Sequence, residues 1–194
     1  EAYADYDLPD GAIAQIPVEP RDSARLLDAL DPGGQIAHRT VRDLPGLVGP
    51  GDVVVVNDSR VIPARLRLAK DSGGAAEVML LEPEPGGDRC WTALVRPGRR
   101  LPPGTRLGAG GGPPVVEVGE RLPGGRRRVR FLAEPSEVLD GLGQVALPPY
   151  ITAPLADPER YQTVFADRPG SVAAPTAGLH LTREVLDVIR GRGA

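Results

Sequence analysis

The stretch SVAAPTAGLH, residues 171–180, combines very small side chains with one hydroxyl and one imidazole. Thr176 can donate or accept a hydrogen bond, and His180, just before a predicted helix, can act as an acid or a base near neutral pH. The competing interpretation is structural: glycine and alanine permit close packing, and His180 ties down the turn. By themselves these residues leave both interpretations open.

A second candidate position follows the run Val53–Val56. Four consecutive β-branched residues predict a strand that is buried on both faces. The polar residues 57–60, NDSR, come directly after it. The carboxyl end of a buried parallel strand is where α/β sheets usually bind ligands. The start of the chain is therefore predicted to be α/β, with polar groups placed for binding.

The middle of the chain, residues 65–145, alternates short apolar runs with clusters of glycine and proline. This punctuation predicts short strands in a small barrel or sandwich. The cluster GAGGGPP at 108–114 predicts a hairpin tip, because the two prolines prevent the helix that a dinucleotide-binding loop needs.

Four further segments carry local signals for regular structure. The period-two pattern of QIAHRTV, around His38, predicts a strand. Helices are predicted over EPSEVLDGLG with a Ser136 cap, over DPERYQTVFA entered through a proline, and over LTREVLDVIRGRGA with a Thr182 cap.

Charge is unevenly distributed along the chain. The net charge is -3, yet residues 89–130 hold ten arginines against two acidic residues, a local charge of +8. Such asymmetry can mark a nucleic-acid-binding face, where arginine contacts phosphate. Alternatively, the arginines solvate the outer face of a sheet. Aromatic residues are scarce, so base stacking is not the expected mode of binding.

Cys90 is the only cysteine, which excludes an intrachain disulfide and a cysteine-based metal site. The acidic start EAYADYDLPD lacks the basic and then apolar pattern of a signal peptide. The longest aliphatic run, Val53–Val56, is too short to span a membrane. Together these features predict a cytoplasmic protein with no membrane association and no metal.

Four segments, in this order and spacing, give the chain its resemblance to a known family: GDVVVVNDSRVIPARL, SGGAAEVMLLE, LPPYI and RYQTVFADRPGSVAAPTAGLH. The chain resembles the S-adenosylmethionine:tRNA ribosyltransferase-isomerases of the queuosine pathway. Members of that family are nearly twice as long, so the resemblance is to their N-terminal part. Leu181 stands where phenylalanine is common in the family, and Ser59 where threonine is common.

The resemblance implies a reaction and its partners. The ribosyl part of S-adenosylmethionine is transferred to 7-aminomethyl-7-deazaguanine at the wobble position of tRNA and isomerised, which gives epoxyqueuosine. S-adenosylmethionine is the ribosyl donor, and no metal or other cofactor is implied. The implied fold is an α/β domain interrupted by an inserted small β-barrel domain. Here that gives 1–62 for the first α/β segment, 63–148 for the barrel and 149–194 for an incomplete return.

The resemblance also suggests roles for individual residues. A base must remove a proton beside the sulfonium, and a donor must assist the departure of adenine. His180, Glu77 and Thr176 are the catalytic candidates. The substrate-binding candidates are Asn57, Asp58, Arg60, Arg65, Tyr161, Gln162, Thr163, Ala174, Pro175, Ala177 and Gly178. Contacts with tRNA are expected from Arg99, Arg100, Arg126, Arg127 and Arg128.

Several of these assignments have structural alternatives. Asn57 and Asp58 could form an Asx turn, Arg60 and Arg65 could form salt bridges between domains, and Glu77 could be an ordinary surface residue of a strand. For the chain as a whole, the alternatives are a catalytically inactive tRNA-binding fragment and one half of a split enzyme with a missing C-terminal half. We expect these 194 residues alone to have low stability and little activity.

Overall fold

The computed structural model describes residues 7–9, 11–29, 33–86 and 89–194, so most of the acidic start used above to predict location lies outside the described residues. The described residues form eleven strands, two α-helices and six short 3₁₀-helices. The strands are β1 Arg25–Asp28, β2 Ala37–Thr40, β3 Ser59–Val61, β4 Arg65–Lys70, β5 Ala75–Pro83, β6 Cys90–Arg96, β7 Thr105–Gly108, β8 Pro114–Arg121, β9 Arg127–Phe131, β10 Gly143–Gln144 and β11 Arg168–Ser171. The α-helices are α1 Pro135–Leu142 and α2 Arg183–Gly191, and the 3₁₀-helices are Arg21–Ser23, Val41–Leu47, Gly98–Arg100, Pro123–Gly125, Pro158–Tyr161 and Thr176–His180.

The chain divides into two compact units. The barrel unit comprises Ser59–Ala146 and Asp167–Ala174, and the terminal unit comprises Glu1–Asp58, Leu147–Ala166 and Pro175–Ala194. Residues 167–174, which the sequence assigned to the returning α/β segment, lie in the barrel unit. They do so because β11 pairs in parallel with β3, with Pro169 opposite Arg60.

The main sheet of the barrel unit closes through six antiparallel strands in the order β4-β5-β6-β9-β8-β7, with β7 pairing back to β4, and β10 adds a seventh strand beside β4. Burial alternates along β9, so Val129 and Phe131 enter the core while Arg128 and Arg130 face solvent. The predicted barrel or sandwich is thus a barrel. Its fully buried side chains are aliphatic apart from one ring, as the composition required: Leu66, Val78, Leu80, Leu101, Leu107, Val116, Val118, Val129 and Phe131.

Turns and helices of the barrel unit follow their local signals. The predicted hairpin tip joins β7 to β8, and a Cβ added at Gly108 would lie 2.7 Å from the carbonyl oxygen of Pro113, so the backbones approach too closely for a side chain. The predicted helix 134–143 is α1, but its N-cap is Glu134 rather than Ser136. Pro135 takes the first helical position, which moves the start upstream.

The terminal unit contains the β1–β2 hairpin, which confirms the strand predicted around His38. Its small core joins one face of α2 to the 3₁₀-helix Val41–Leu47, through Val41, Leu181, Val185 and Ile189. The Thr182 hydroxyl accepts a hydrogen bond from the backbone N–H of Val185 at 3.3 Å, so the predicted cap is confirmed. No helix of the described residues combines the length and apolar character that crossing a bilayer requires.

The predicted strand Val53–Val56 is wrong for this structure. The four valines adopt no regular structure, and Val53 and Val55 are 84% and 87% exposed. β-branched residues favour a pleated backbone, but a strand also needs a neighbour to receive its hydrogen bonds. Among the described residues no strand pairs with this segment.

Candidate functional site

The terminal unit contains a cavity of about 840 Å³. Three stretches that are far apart in sequence line it: residues from Ala14 to Arg25, from Leu147 to Tyr161, and from Thr176 to His180. Most lining residues are aliphatic, which suits a flat ring system, and the volume lies within the range of small-molecule sites. Three predicted site residues, Tyr161, Thr176 and His180, line this cavity together.

Close packing around the 3₁₀-helix Thr176–His180 accounts for only some of the small residues in the stretch 171–180. A Cβ added at Gly178 would lie 3.1 Å from the ring of Phe165 and 3.2 Å from Cγ2 of Thr163, so a side chain there would need these neighbours to shift. Pro175, Ala177 and Gly178 do not line the cavity, and Ala174 belongs to the barrel unit. The helix therefore turns its hydroxyl and imidazole, rather than its small residues, toward the cavity.

Arg21 joins two walls of this cavity, a role that sequence reasoning missed. Its Nη1 donates to the carbonyl oxygen of Gln162 at 2.6 Å and to that of Leu179 at 3.3 Å, and its Nη2 donates to the carbonyl oxygen of Glu159 at 3.0 Å. Burial, and then the nearby charge of Arg160, lower the pKa of Arg21. One guanidinium thereby holds the segment 158–162 against the helix 176–180.

Gln15 joins the remaining wall and was also missed. Its amide Nε2 donates to the carbonyl oxygen of Tyr150 at 3.0 Å, while its Oε1 accepts from the backbone N–H of Thr152 at 2.8 Å. Arg160 donates from Nη2 to the carbonyl oxygen of Val18 at 2.8 Å and forms an ion pair with Glu19. Backbone groups receive most of these bonds, so no residue pattern in the sequence reveals them.

The motif RYQT places its side chains differently from the prediction. Tyr161 lines the cavity, whereas Gln162 and Thr163 are buried and do not. The Thr163 hydroxyl has no hydrogen-bond partner among the described residues. Gln162 contributes its carbonyl oxygen, which Arg21 binds.

Within the barrel unit the structure brings two candidates together. Arg65 on β4 and Glu77 on β5 form an ion pair, with Nε and Oε2 3.9 Å apart, and both side chains are half-buried. The Arg65 Nε is buried and has no hydrogen-bond partner in the described part of the chain. Arg60 lies on β3, and Asn57 and Asp58 lie in the irregular stretch that follows the valines. Arg65 thus forms a salt bridge, as the structural alternative expected, but within one unit rather than between domains.

The predicted tRNA-binding arginines fall into different environments. Arg127 is 3% exposed, and its guanidinium donates to the carbonyl oxygens of Gly119 at 2.6 Å and Leu101 at 2.9 Å. Backbone carbonyl oxygens take up its hydrogen-bond donors, so its predicted role as a tRNA contact is replaced by a scaffold role. Arg128 forms ion pairs with Glu84 and Glu120. Arg99, Arg100 and Arg126 keep exposed side-chain surface.

No cluster of three or more potential metal ligands, counted over histidine, cysteine, aspartate and glutamate, occurs among the described residues. The cavity lining of the terminal unit offers one imidazole, the hydroxyls of Ser23 and Thr176, the phenols of Tyr150 and Tyr161, and charged side chains such as Arg160, around a largely apolar surface. Such groups can exchange protons and donate hydrogen bonds to a bound ring.

Comparisons with known proteins agree over nearly the whole chain. The profile of the family described as "Queuosine biosynthesis protein" matches residues 2–194. A protein of Desulfitobacterium hafniense named S-adenosylmethionine:tRNA ribosyltransferase-isomerase is 48% identical over 97% of this chain and 56% of its own length. A protein of the same name from Thermus thermophilus is 49% identical over 100% of this chain and 57% of its own length.

A crystal structure of S-adenosylmethionine tRNA ribosyltransferase from Thermotoga maritima is 30% identical, with a TM-score of 0.37 over 97% of this chain and 54% of that one. The chain thus spans about half the length of the relatives it matches. On the match over residues 2–194, it belongs to the queuosine biosynthesis protein family.

Proposed function

We propose that this chain is part of an S-adenosylmethionine:tRNA ribosyltransferase-isomerase. The proposed reaction moves the ribosyl group of S-adenosylmethionine onto 7-aminomethyl-7-deazaguanine in tRNA and forms epoxyqueuosine, with adenine and methionine released. The observation that supports it is the 48% identity, over 97% of the chain, to a relative of that name. A tRNA substrate also places the proposed reaction in the cytoplasm.

The cavity of the terminal unit is the proposed site for the adenosine part of the donor. Its aliphatic lining can cover a flat purine, and among its hydrogen-bond donors we assign His180, Thr176 and Tyr161 to the departing adenine. We assign His180 the acid–base role because imidazole is the side chain on this lining that can both donate and accept a proton.

Glu77 of the barrel unit is a proposed catalytic group, and Arg65 is a proposed anion-binding group. The carboxylate of Glu77 can stabilise a positive charge or remove a proton. The Arg65 Nε, buried and without a hydrogen-bond partner among the described residues, suits a carboxylate. Asn57, Asp58 and Arg60 are further proposed substrate contacts.

We further propose that the barrel interrupts an α/β domain. In that arrangement the exposed Val53–Val56 segment becomes a strand whose neighbours come from the half of the relatives that this chain does not cover. No metal or cofactor is assigned to the reaction, so adenine release should persist in the presence of a chelator.

The test is adenine release from S-adenosylmethionine, with and without tRNA that carries the deazaguanine precursor. The Thermus thermophilus relative serves as the positive control. His180→Ala should abolish release, whereas His38→Ala, at an exposed position of β2 outside the cavity, should not. Release that requires the modified tRNA supports the proposal. No release while the relative is active would place essential groups outside these residues and favour a tRNA-binding fragment or a split enzyme.

A further inference from the structure

Two groups of arginines in the barrel unit differ in their partners. Three that project from the sheet lie beside carboxylates: Arg128 lies 2.8 Å from Glu84, and Arg106 and Arg130 each lie 3.4 Å from Glu117. Glu84 lies outside the arginine-rich stretch of the sequence, so a count along the chain overestimates the charge of this face. These paired arginines have little attraction left for an anion.

The second group lies around a cavity of about 280 Å³ at one end of the barrel. Arg99, on the 3₁₀-helix Gly98–Arg100, and Arg121, at the end of β8, are both exposed. Within the described part of the chain, neither has a carboxylate within 4.0 Å, by contrast with the sheet-face arginines. The complete lining contains four arginines and no acidic residue: Gly98, Arg99, Arg121, Leu122, Gly125, Arg126 and Arg127.

Arg127 forms the rigid floor of this cavity. Its Nη1 donates to the carbonyl oxygen of Leu101 at 2.9 Å, beside the segment that carries Arg99, and its Nη2 donates to that of Gly119 at 2.6 Å, on the strand that carries Arg121. Both walls are therefore held by one buried side chain. Burial, and then the charge of Arg121, lower the pKa of Arg127, as expected where positive charge is not compensated.

The lining and the size of the cavity indicate the class of ligand. Planar guanidinium groups bind phosphate oxygens in pairs and keep their charge at every physiological pH. A volume of 280 Å³ accommodates a single phosphodiester group but is small for a whole nucleotide. The lining offers no aromatic ring on which a base could stack.

We propose that Arg99 and Arg121 bind one backbone phosphate of an RNA at this end of the barrel. The inference rests on the proposed function for the identity of the RNA as tRNA. It adds Arg121 to the predicted tRNA contacts and keeps Arg99. It excludes Arg126 and Arg128, which form ion pairs with Glu82 and Glu84, and Arg127, whose guanidinium is held by carbonyl groups.

The experiment measures binding of a fluorescent anticodon stem-loop RNA by anisotropy, as a function of salt and without any requirement for turnover. Arg99→Ala and Arg121→Ala should each weaken binding on the order of 5- to 10-fold and reduce the slope of log K against log salt by about 1. Arg106→Ala removes the same charge from an ion-paired position and should change affinity less than about twofold. Thermal melts of all three variants should coincide with that of the parent.

Equal losses in all three variants, or unchanged affinity and salt slope in Arg99→Ala and Arg121→Ala, overturn the proposal, as does a parent chain that does not bind the RNA. Inorganic phosphate should compete with the RNA at millimolar concentration in the parent but not in Arg121→Ala. If phosphate binds the parent without displacing RNA, the site takes free phosphate and the RNA assignment is wrong. Adenine release is measured separately, so loss of the pocket and loss of the proposed reaction are distinguishable.

Discussion

The Nη1 of Arg21 lies 2.6 Å from the carbonyl oxygen of Gln162, across 141 residues of sequence. The same guanidinium donates to the carbonyl oxygens of Glu159 and Leu179. Two segments that the sequence singled out for their chemistry are thus held together by a residue that it did not single out.

Replacing Arg21 tests this arrangement. Arg21→Ala leaves three backbone carbonyls without their donor and should cost about 2 kcal/mol of stability. Arg21→Lys, whose ammonium lacks the guanidinium fork, should recover only part of the loss. Denaturant unfolding measures both variants. Arg183→Ala removes an exposed arginine at the start of α2 and is the control. An equal loss of stability in this variant would contradict the role of Arg21 in holding the two segments together.

Gly178→Ala tests whether the glycine in the stretch 171–180 is needed for packing. The new Cβ would lie 3.1 Å from the Phe165 ring, so overpacking should cost about 1–3 kcal/mol. Gly46→Ala, where a Cβ meets nothing within 4 Å, is the matched control and should change stability by less than about 0.5 kcal/mol. Equal melting temperatures for the two variants would show that the contact is absent.

The stability of the terminal unit should depend on pH through Asp22. Hydrogen bonds from Arg42, at 3.0 Å and 2.9 Å, hold the pKa of Asp22 below its ordinary value of 3.8. A lowered folded-state pKa gives stability that is complete above the unfolded value and is lost as pH falls through the folded one. Asp22→Asn should therefore be less stable than the parent at pH 7, and the difference should shrink below pH 4. Urea titrations between these pH values measure it, and a constant difference would refute the linkage.

The exposed valines should contribute nothing to the fold of this chain. Val53→Lys and Val55→Lys should change the free energy of unfolding by less than about 0.5 kcal/mol, because both side chains are in water. Both substitutions should also reduce self-association in sedimentation velocity, since exposed β-branched segments pair with other chains. Val185→Lys, in the core of the same unit, should unfold it. A large loss at Val55 would reveal a partner within the chain.

Local signals predicted part of the local structure. The Thr182 cap and the apolar stripe of α2 act over a few residues, so the sequence displays them directly, whereas the Ser136 cap of α1 was wrong because Pro135 takes the first helical position. Glycine and proline punctuation predicted a barrel or a sandwich, and the family resemblance implied the barrel. Which alternate arginine points inward was not predictable, because Arg127 and Arg128 differ only in which face of β9 they occupy.

Long-range contacts limited the prediction of the site. Arg21 and Gln15 bind carbonyl and N–H groups more than 130 residues away, and backbone groups carry no residue signature. The prediction of a strand at Val53–Val56 was wrong because strand formation also depends on long-range contacts. These valines have high β propensity, but the strand neighbours that would pair with them are not specified by their own residues.

The bonds of Gln15 and Arg21 also set an order of events during synthesis. The cavity wall that they hold is complete only after Leu179 has left the ribosome, because Arg21 binds its carbonyl oxygen. At a translation rate of roughly 5–20 residues per second, the N-terminal segment waits on the order of ten seconds for its partners. The barrel strands are synthesised during that wait and pair mostly with near neighbours in sequence. The N-terminal segment therefore lacks its hydrogen-bond partners throughout this interval, which makes it a candidate for chaperone binding before the cavity forms.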